Sequence, residues 1–216
     1  VTDLIVTMDG PGGTGKSTVS KAAAKRLDLP HLDTGAFYRA AGVVAVRAGV
    51  DLDDADQVTA VLTDTTFDQV AGRMYVDGSD ISDEIRTPTA TAASSRISIH
   101  PGVRRLLVAH QRQWVERHGN RAVVEGRDIG SVVFPDATLK IYLDARPEIR
   151  ARRRADQTGE DYHEVLAQLT DRDHRDTTRR VSPLTIPQRA VVIDTSDLTF
   201  EQVVERVVEL ATGPTG

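Results

Sequence analysis

An α/β fold with a parallel, doubly wound sheet is what this sequence predicts. Two observations carry it. Short apolar runs alternate with helical segments along the chain. The first run passes through a glycine-rich turn straight into a helix. At 216 residues the chain has room for one such domain with an insertion.

Residues 4–8 are mostly apolar without polar alternation, which suits a strand buried on both faces, and they end in Asp9-Gly10. Residues 17–27 contain Ala22, Ala23 and Ala24 and read as a helix. After Leu29-Pro30-His31-Leu32, the segment beginning at Asp33 opens an alanine- and valine-rich helix that ends near Gly49. Composition changes over residues 51–101. An acidic helical stretch at 54–62 is followed by β-like stretches at 66–70 and 73–76, the turn signal Asp77-Gly78, and a helix of small residues over 87–99. This segment is predicted to be an insertion carrying its own small sheet. The core resumes with a helix over 102–118 and a strand at 122–125 leading into Gly126-Arg127-Asp128. A strand at 139–143, helices at 147–156 and 161–176, a strand at 190–193 and a helix at 199–210 complete it, and 212–216 read as a tail.

Composition narrows the function classes. With 39% hydrophobic and 27% charged residues and a net charge of −5, the chain is expected to be soluble and offers no global basic surface for nucleic acid. It has no cysteine, which excludes disulfides, thiolate zinc sites and a cysteine nucleophile. No apolar run approaches the ~20 residues needed to span a bilayer, and the first residues lack a signal-peptide pattern. A cytoplasmic protein with no membrane partner is expected. The six histidines show no metal spacing, and Trp114 reads as packing.

The turn after the first strand is Gly10-Pro11-Gly12-Gly13-Thr14-Gly15-Lys16-Ser17, a complete G-x-x-x-x-G-K-[ST] phosphate loop followed by Thr18. Glycines let backbone N–H groups turn inward around a phosphate, and the helix start directs its positive dipole end at the same anion. In such a loop Lys16 reaches the β and γ phosphates and the Ser17 hydroxyl ligates Mg²⁺. The loop is expected to be exposed. The motif alone serves kinases, GTPases and motor ATPases. An N-K-x-D guanine motif is absent from the sequence, and Glu125-Gly126-Arg127-Asp128 is a poor match to the acidic pair of a motor ATPase.

Only Lys16, Lys21, Lys25 and Lys140 are lysines among 27 basic residues, so the rest are arginines. Arg150, Arg152, Arg153 and Arg154 cluster on one predicted helix; Arg172, Arg175, Arg179 and Arg180 follow, interleaved with Asp171, Asp173 and Asp176. Either these are solvated, salt-bridged helix faces, or they gather the charge of two phosphate-bearing substrates, as a small-molecule kinase with an arginine lid requires.

Leu32-Asp33-Thr34-Gly35-Ala36-Phe37-Tyr38-Arg39, Gly126-Arg127-Asp128-Ile129-Gly130, Val133-Phe134-Pro135-Asp136-Ala137, Lys140-Ile141-Tyr142-Leu143-Asp144-Ala145 and Arg172-Asp173-His174-Arg175-Asp176 stand in the chain in that order. Together with the phosphate loop they resemble the bacterial cytidylate kinase family over about residues 4–210. The resemblance implies a P-loop NMP-kinase fold: a five-stranded parallel core flanked by helices, an NMP-binding insertion at 51–101 and an arginine-rich lid at about 150–172. It implies ATP as co-substrate with Mg²⁺ and phosphorylation of CMP and dCMP; a monomer is expected. It places Thr34 and Arg39 near the acceptor phosphate, with Tyr38 in the same motif. Ser95, Arg104 and Asp128 fall at the cytosine, Ser95 being taken over Ser94 on its spacing to Pro101. Arg127 and Arg179 are directed at phosphate, Arg172 and Asp176 at the ribose, and Arg150, Arg153 and Arg154 are lid arginines.

Chemistry agrees with the base assignment. Cytosine offers an amino donor at N4 and acceptors at N3 and O2, which suit a carboxylate and the donors of arginine and serine. Uracil would set O4 against Asp128. No general base is required, because the acceptor phosphate oxygen is already an anion.

Overall fold

The computed structural model describes residues 3–213. Residues 214–216 of the expected tail lie outside the described residues. Along the chain the elements are β1 (Leu4–Asp9), α1 (Lys16–Leu27), β2 (His31–Asp33), α2 (Thr34–Arg47), α3 (Ala55–Thr63), β3 (Phe67–Val70), β4 (Arg73–Val76) and β5 (Ser79–Asp80). They continue as α4 (Pro88–Ile97), α5 (Pro101–Arg117), β6 (Arg121–Glu125), β7 (Leu139–Asp144), α6 (Pro147–Thr158), α7 (Tyr162–Thr178), β8 (Val191–Asp194) and α8 (Phe200–Thr212). The α/β class expected from the alternation is the class observed.

Five strands form a parallel sheet in the order β2-β6-β1-β7-β8. β1 is central because Val6 and Met8 are fully buried and both neighbouring strands pair with it in parallel register. After β1 the chain passes through α1 to β2, on the β6 flank of the sheet, whereas β6 leads on to β7 on the other flank of β1, so the connections turn to opposite sides at the carboxyl end of β1. Ligands of open α/β sheets bind at that point. Helices α1 and α8 cover one face: Val19 and Ala23 from α1 and Val203, Val204 and Val207 from α8 join Val123, Ile141 and Leu143 in one core. α8 is fixed at its start by a capping box between Thr199 and Gln202.

The chain divides into two compact units, one of residues 1–31 and 120–216 and the other of residues 32–119. The second holds the antiparallel sheet β3-β4-β5, in which Phe67 pairs with Val76 and Tyr75 with Asp80. The predicted insertion at 51–101 lies inside this unit, which also includes α2 and α5. α2 and α4 approach closely because residue 42 is glycine: a Cβ there would stand 2.9 Å from the Ser94 backbone nitrogen. Trp114 is buried and its indole N–H donates to the Gln69 carbonyl at 2.7 Å, so it packs as expected.

Gln111 on α5 is fully buried, and among the described residues neither atom of its amide has a hydrogen-bond partner. Leaving such a group unsatisfied costs about 1–3 kcal/mol. Gln111→Met keeps the length and removes the polar atoms, so it is expected to raise the thermal midpoint. A lowered midpoint in calorimetry would mean that the amide is bonded in solution.

Candidate active site

The first unit carries the phosphate loop. β1 delivers Gly10 at φ +142°, where a Cβ would lie 2.0 Å from the Leu143 carbonyl oxygen, so only glycine permits this turn. Gly15, at φ +84°, stands at the N-cap of α1, and no side chain caps the helix. First-turn N–H groups and the helix dipole are thereby directed at an incoming anion. The loop is less exposed than the sequence suggested. Gly13, Gly15, Ser17 and Thr18 face solvent, but Pro11, Gly12, Thr14 and Lys16 are buried, because α6 and α7 crowd the loop through Arg150 and Leu169.

Lys16 donates from Nζ to the Pro11 carbonyl at 2.8 Å. Burial, reinforced by the positive charges of Arg127 and Arg172, holds its pKa well below the ordinary lysine value, and Glu125 and Asp9 only partly oppose this. A cation set among arginines in a buried position is a site short of negative charge, which phosphate groups would supply.

Beside it, the Ser17 hydroxyl donates to Glu125 Oε2 at 2.8 Å. His31 Nε2 lies 3.2 Å from the other carboxylate oxygen and 2.9 Å from the Ser20 hydroxyl. Burial alone would raise the Glu125 pKa, but the bond and charge of His31, with the charge of Lys16 and the Ser17 bond, bring it below the ordinary value. The sequence reading set Glu125 aside because no acidic pair ends β6. β1 and β6 are adjacent and parallel, so the end of β6 faces the start of α1 and brings the Glu125 carboxylate to Ser17. Ser17 and Glu125 are hard oxygen donors. Among the described residues no group of three or more His, Cys, Asp or Glu could hold a metal. A cation here would complete its shell with phosphate oxygens and water, which is the habit of Mg²⁺.

The arginines of this unit converge on the loop in part. Arg127 donates to the Gly10 carbonyl at 3.0 Å and to Asp176 at 2.9 Å. Arg172 lies 3.9 Å from the same Asp176 carboxylate. Arg179 donates to the Ser182 carbonyl at 2.6 Å and stands 3.9 Å from the buried Asp128. Arg150 is buried and donates to the Gly12 carbonyl at 2.9 Å, to Ala145 at 2.9 Å and to Asp173 at 2.6 Å. Arg153 instead turns to the Thr195 carbonyl at 2.6 Å, and Arg154 is exposed. Of the three arginines expected in a lid, Arg150 bonds to the phosphate loop, whereas Arg153 and Arg154 do not.

The second unit holds the remaining residues. Asp33 caps α2 by accepting from the Ala36 N–H and also receives Arg39 at 3.0 Å, while its own N–H donates to Gln69 Oε1. Thr34 is buried in the first turn. Arg104 is buried, donates to the Ser98 carbonyl at 3.3 Å, and lies 5.4 Å from the centre of the Tyr38 ring. Ser95 is exposed and Ser94 half-buried; both hydroxyls donate to the Thr91 carbonyl.

A glycine-rich loop closing on a buried lysine after the central strand of a parallel sheet defines a P-loop fold. A solved shikimate kinase from Bacteroides thetaiotaomicron has a similar fold, with a TM-score of 0.50 and 15% identity over 96% of this chain and 97% of that one. The family model described as cytidylate kinase matches residues 6–213. The cytidylate kinase of Mycobacterium avium is 48% identical over 96% of this chain and 95% of its own length. That of Mycobacterium leprae is 46% identical over 97% and 96%. The chain belongs to the cytidylate kinase family. Among the described residues no helix is long and apolar enough to cross a membrane.

Proposed function

We propose that this protein transfers the γ-phosphoryl group of ATP to CMP and dCMP, with Mg²⁺, acting as a monomer in the cytoplasm. The observation that carries the reading is the family match across residues 6–213, nearly the whole chain. The geometry of the first unit supports it. Gly10 to Thr18 and the first turn of α1 cradle the phosphates of ATP. Lys16 neutralises charge between the β and γ groups as the bond to the leaving oxygen lengthens. Ser17 and Glu125 would hold the Mg²⁺, which would supply further charge neutralisation at the phosphates when bound.

Thr34, Arg39, Arg127 and Arg179 bind the acceptor phosphate, and Arg172 with Asp176 the ribose. Ser95 and Arg104 donate to cytosine N3 and O2 while Asp128 accepts from N4. Arg150, Arg153 and Arg154 belong to the lid, and Arg150 is the one whose contact with Gly12 supports a direct role at the transferring group. Because the acceptor oxygen is already ionised, positioning and charge neutralisation account for catalysis without a general base.

A coupled ADP assay over CMP, dCMP, UMP, AMP, dTMP and shikimate tests this. ATP alone is expected to be hydrolysed slowly, since the water-excluding site is incomplete without the acceptor. CMP and dCMP are expected to stimulate ADP formation strongly, and the other acceptors weakly. Equal ADP formation with and without any acceptor would identify a plain ATPase or a nucleotide switch instead.

A further inference from the structure

Asp9 is a fully buried carboxylate at the end of β1 that neither the phosphate loop nor the acceptor residues use directly. Its two oxygens accept from two successive backbone N–H groups, Oδ1 from Ile129 at 2.8 Å and Oδ2 from Gly130 at 2.7 Å. These N–H groups open the π-helical turn Ile129–Val133, whose N-cap residue is Asp128. An aspartate at an N-cap ordinarily satisfies the turn with its own side chain. Asp128 makes no such cap bond. Asp9 supplies the cap from another strand, so the Asp128 carboxylate is not committed to it.

The contact is built closely. Gly130 is closely packed: a Cβ there would stand 2.8 Å from Thr7 Oγ1 and 3.1 Å from Pro187, so an added methyl has to shift the turn. On the other side of Asp9, the Gly10 carbonyl accepts from Arg127 at 3.0 Å, and Gly126 N–H donates to the Met8 carbonyl at 3.0 Å. The backbone around Arg127 and Asp128 is therefore tied to β1 before and after those residues. Burial pushes the Asp9 carboxyl up to about 6, against the two N–H bonds and the charge of Lys16, while Asp128 pushes it further up. Two converging N–H donors call for two acceptors, which a carboxylate has and an amide lacks.

We infer that Asp9 is a positioning residue for the acceptor nucleotide, fixing the Asp128–Gly130 backbone so that Arg127 and Asp128 are presented to phosphate and base. The inference rests on the acceptor roles given to Arg127 and Asp128 under the proposed function. Asp9→Asn leaves one acceptor and sets an N–H₂ group against an N–H, which displaces the turn without touching the nucleotide.

The test compares Asp9→Asn and wild type in KM for CMP, in the CMP-to-UMP ratio of kcat/KM, and in the Kd of a fluorescent ATP analogue without acceptor. The expected result is a KM for CMP raised about tenfold and a narrowed ratio, since a small misplacement of binding groups carries penalties of that order, with ATP affinity near that of wild type. An unchanged KM and ratio would overturn the inference, and so would ATP affinity falling in step with CMP affinity, which would make Asp9 a support of the loop alone. Gly130→Ala, which pushes the same N–H away from the carboxylate, provides the same comparison if Asp9→Asn does not fold. Asp128→Asn is measured in parallel. If it leaves the ratio unchanged, the base-reading proposal itself has failed; if it changes the ratio while both other variants do not, only the role of Asp9 has.

Discussion

Replacing Lys16 with alanine is expected to lower kcat by on the order of 10²-fold or more, while the protein stays folded. The ammonium is buried, and its bond to the Pro11 carbonyl keeps it inside the loop, where the phosphates of ATP would displace that carbonyl. In a site of this kind a cation acts through little intervening water, so its loss falls on the charge that develops in the transition state. The fold argument follows from the same burial. A lysine whose pKa is held well below its ordinary value binds its proton less readily folded than unfolded, so at neutral pH the charged side chain opposes folding. Alanine removes that opposition together with some methylene packing, and the thermal midpoint is expected to hold or rise. Steady-state kinetics and calorimetry on one preparation check both halves. Near-normal turnover would remove the loop from the mechanism, and a collapse of the midpoint would make Lys16 a structural residue.

Four core strands were legible because each is an apolar run of about the right length, as in residues 4–8 and 139–143. β2 was not, because its three residues include the polar His31 and Asp33, too short a stretch for any periodicity to show. The same holds for β5, two residues long. The π-helical turn at Ile129–Val133 left no local signal either: Ile-Gly-Ser-Val-Val contains nothing that caps or closes a helix, since its cap comes from Asp9, 120 positions earlier. Local patterns report local forces, and this turn is held by a distant one.

The site divides along the same line. The phosphate loop is contiguous, so its glycines, Lys16 and Ser17 could be read as a unit. Glu125 acquires its place beside Ser17 only through the parallel pairing of β1 with β6, which a motif search for an acidic pair passes over. The arginine-rich helix α6 offered two readings, a solvated face or a phosphate-directed one. The structure divides it: Arg150 and Arg153 bond to backbone carbonyls of the first unit, whereas Arg154 is exposed and Arg152 lies 5.0 Å from the centre of the Tyr162 ring. Spacing along one helix gives the face on which an arginine lies. The partner it meets depends on β7, β8 and the loop, which the helix sequence does not contain.

Asp128→Asn is expected to lose most activity toward CMP and to narrow the CMP-to-UMP ratio of kcat/KM by at least ~10-fold. Two effects have to be separated. Asp128 is buried and lies 3.9 Å from Arg179, so removing its charge changes the electrostatics around an arginine proposed to bind phosphate. That effect acts on the phosphate end and lowers both acceptors alike. Base reading acts differently. A carboxylate only accepts, which suits the N4 amino group of cytosine and opposes O4 of uracil, whereas an amide can turn its N–H₂ toward O4. A tenfold change in the ratio is about 1.4 kcal/mol, within the roughly 1–3 kcal/mol attached to one buried polar group gaining or losing its partner. The ratio, measured at saturating ATP and Mg²⁺ in wild type and variant, therefore isolates base reading from the charge effect. Equal losses for both acceptors would leave Asp128 as a support of Arg179 with no part in base choice. A wild-type preference for UMP would reject CMP as the acceptor while leaving the phosphoryl-transfer roles of Lys16 and the loop intact.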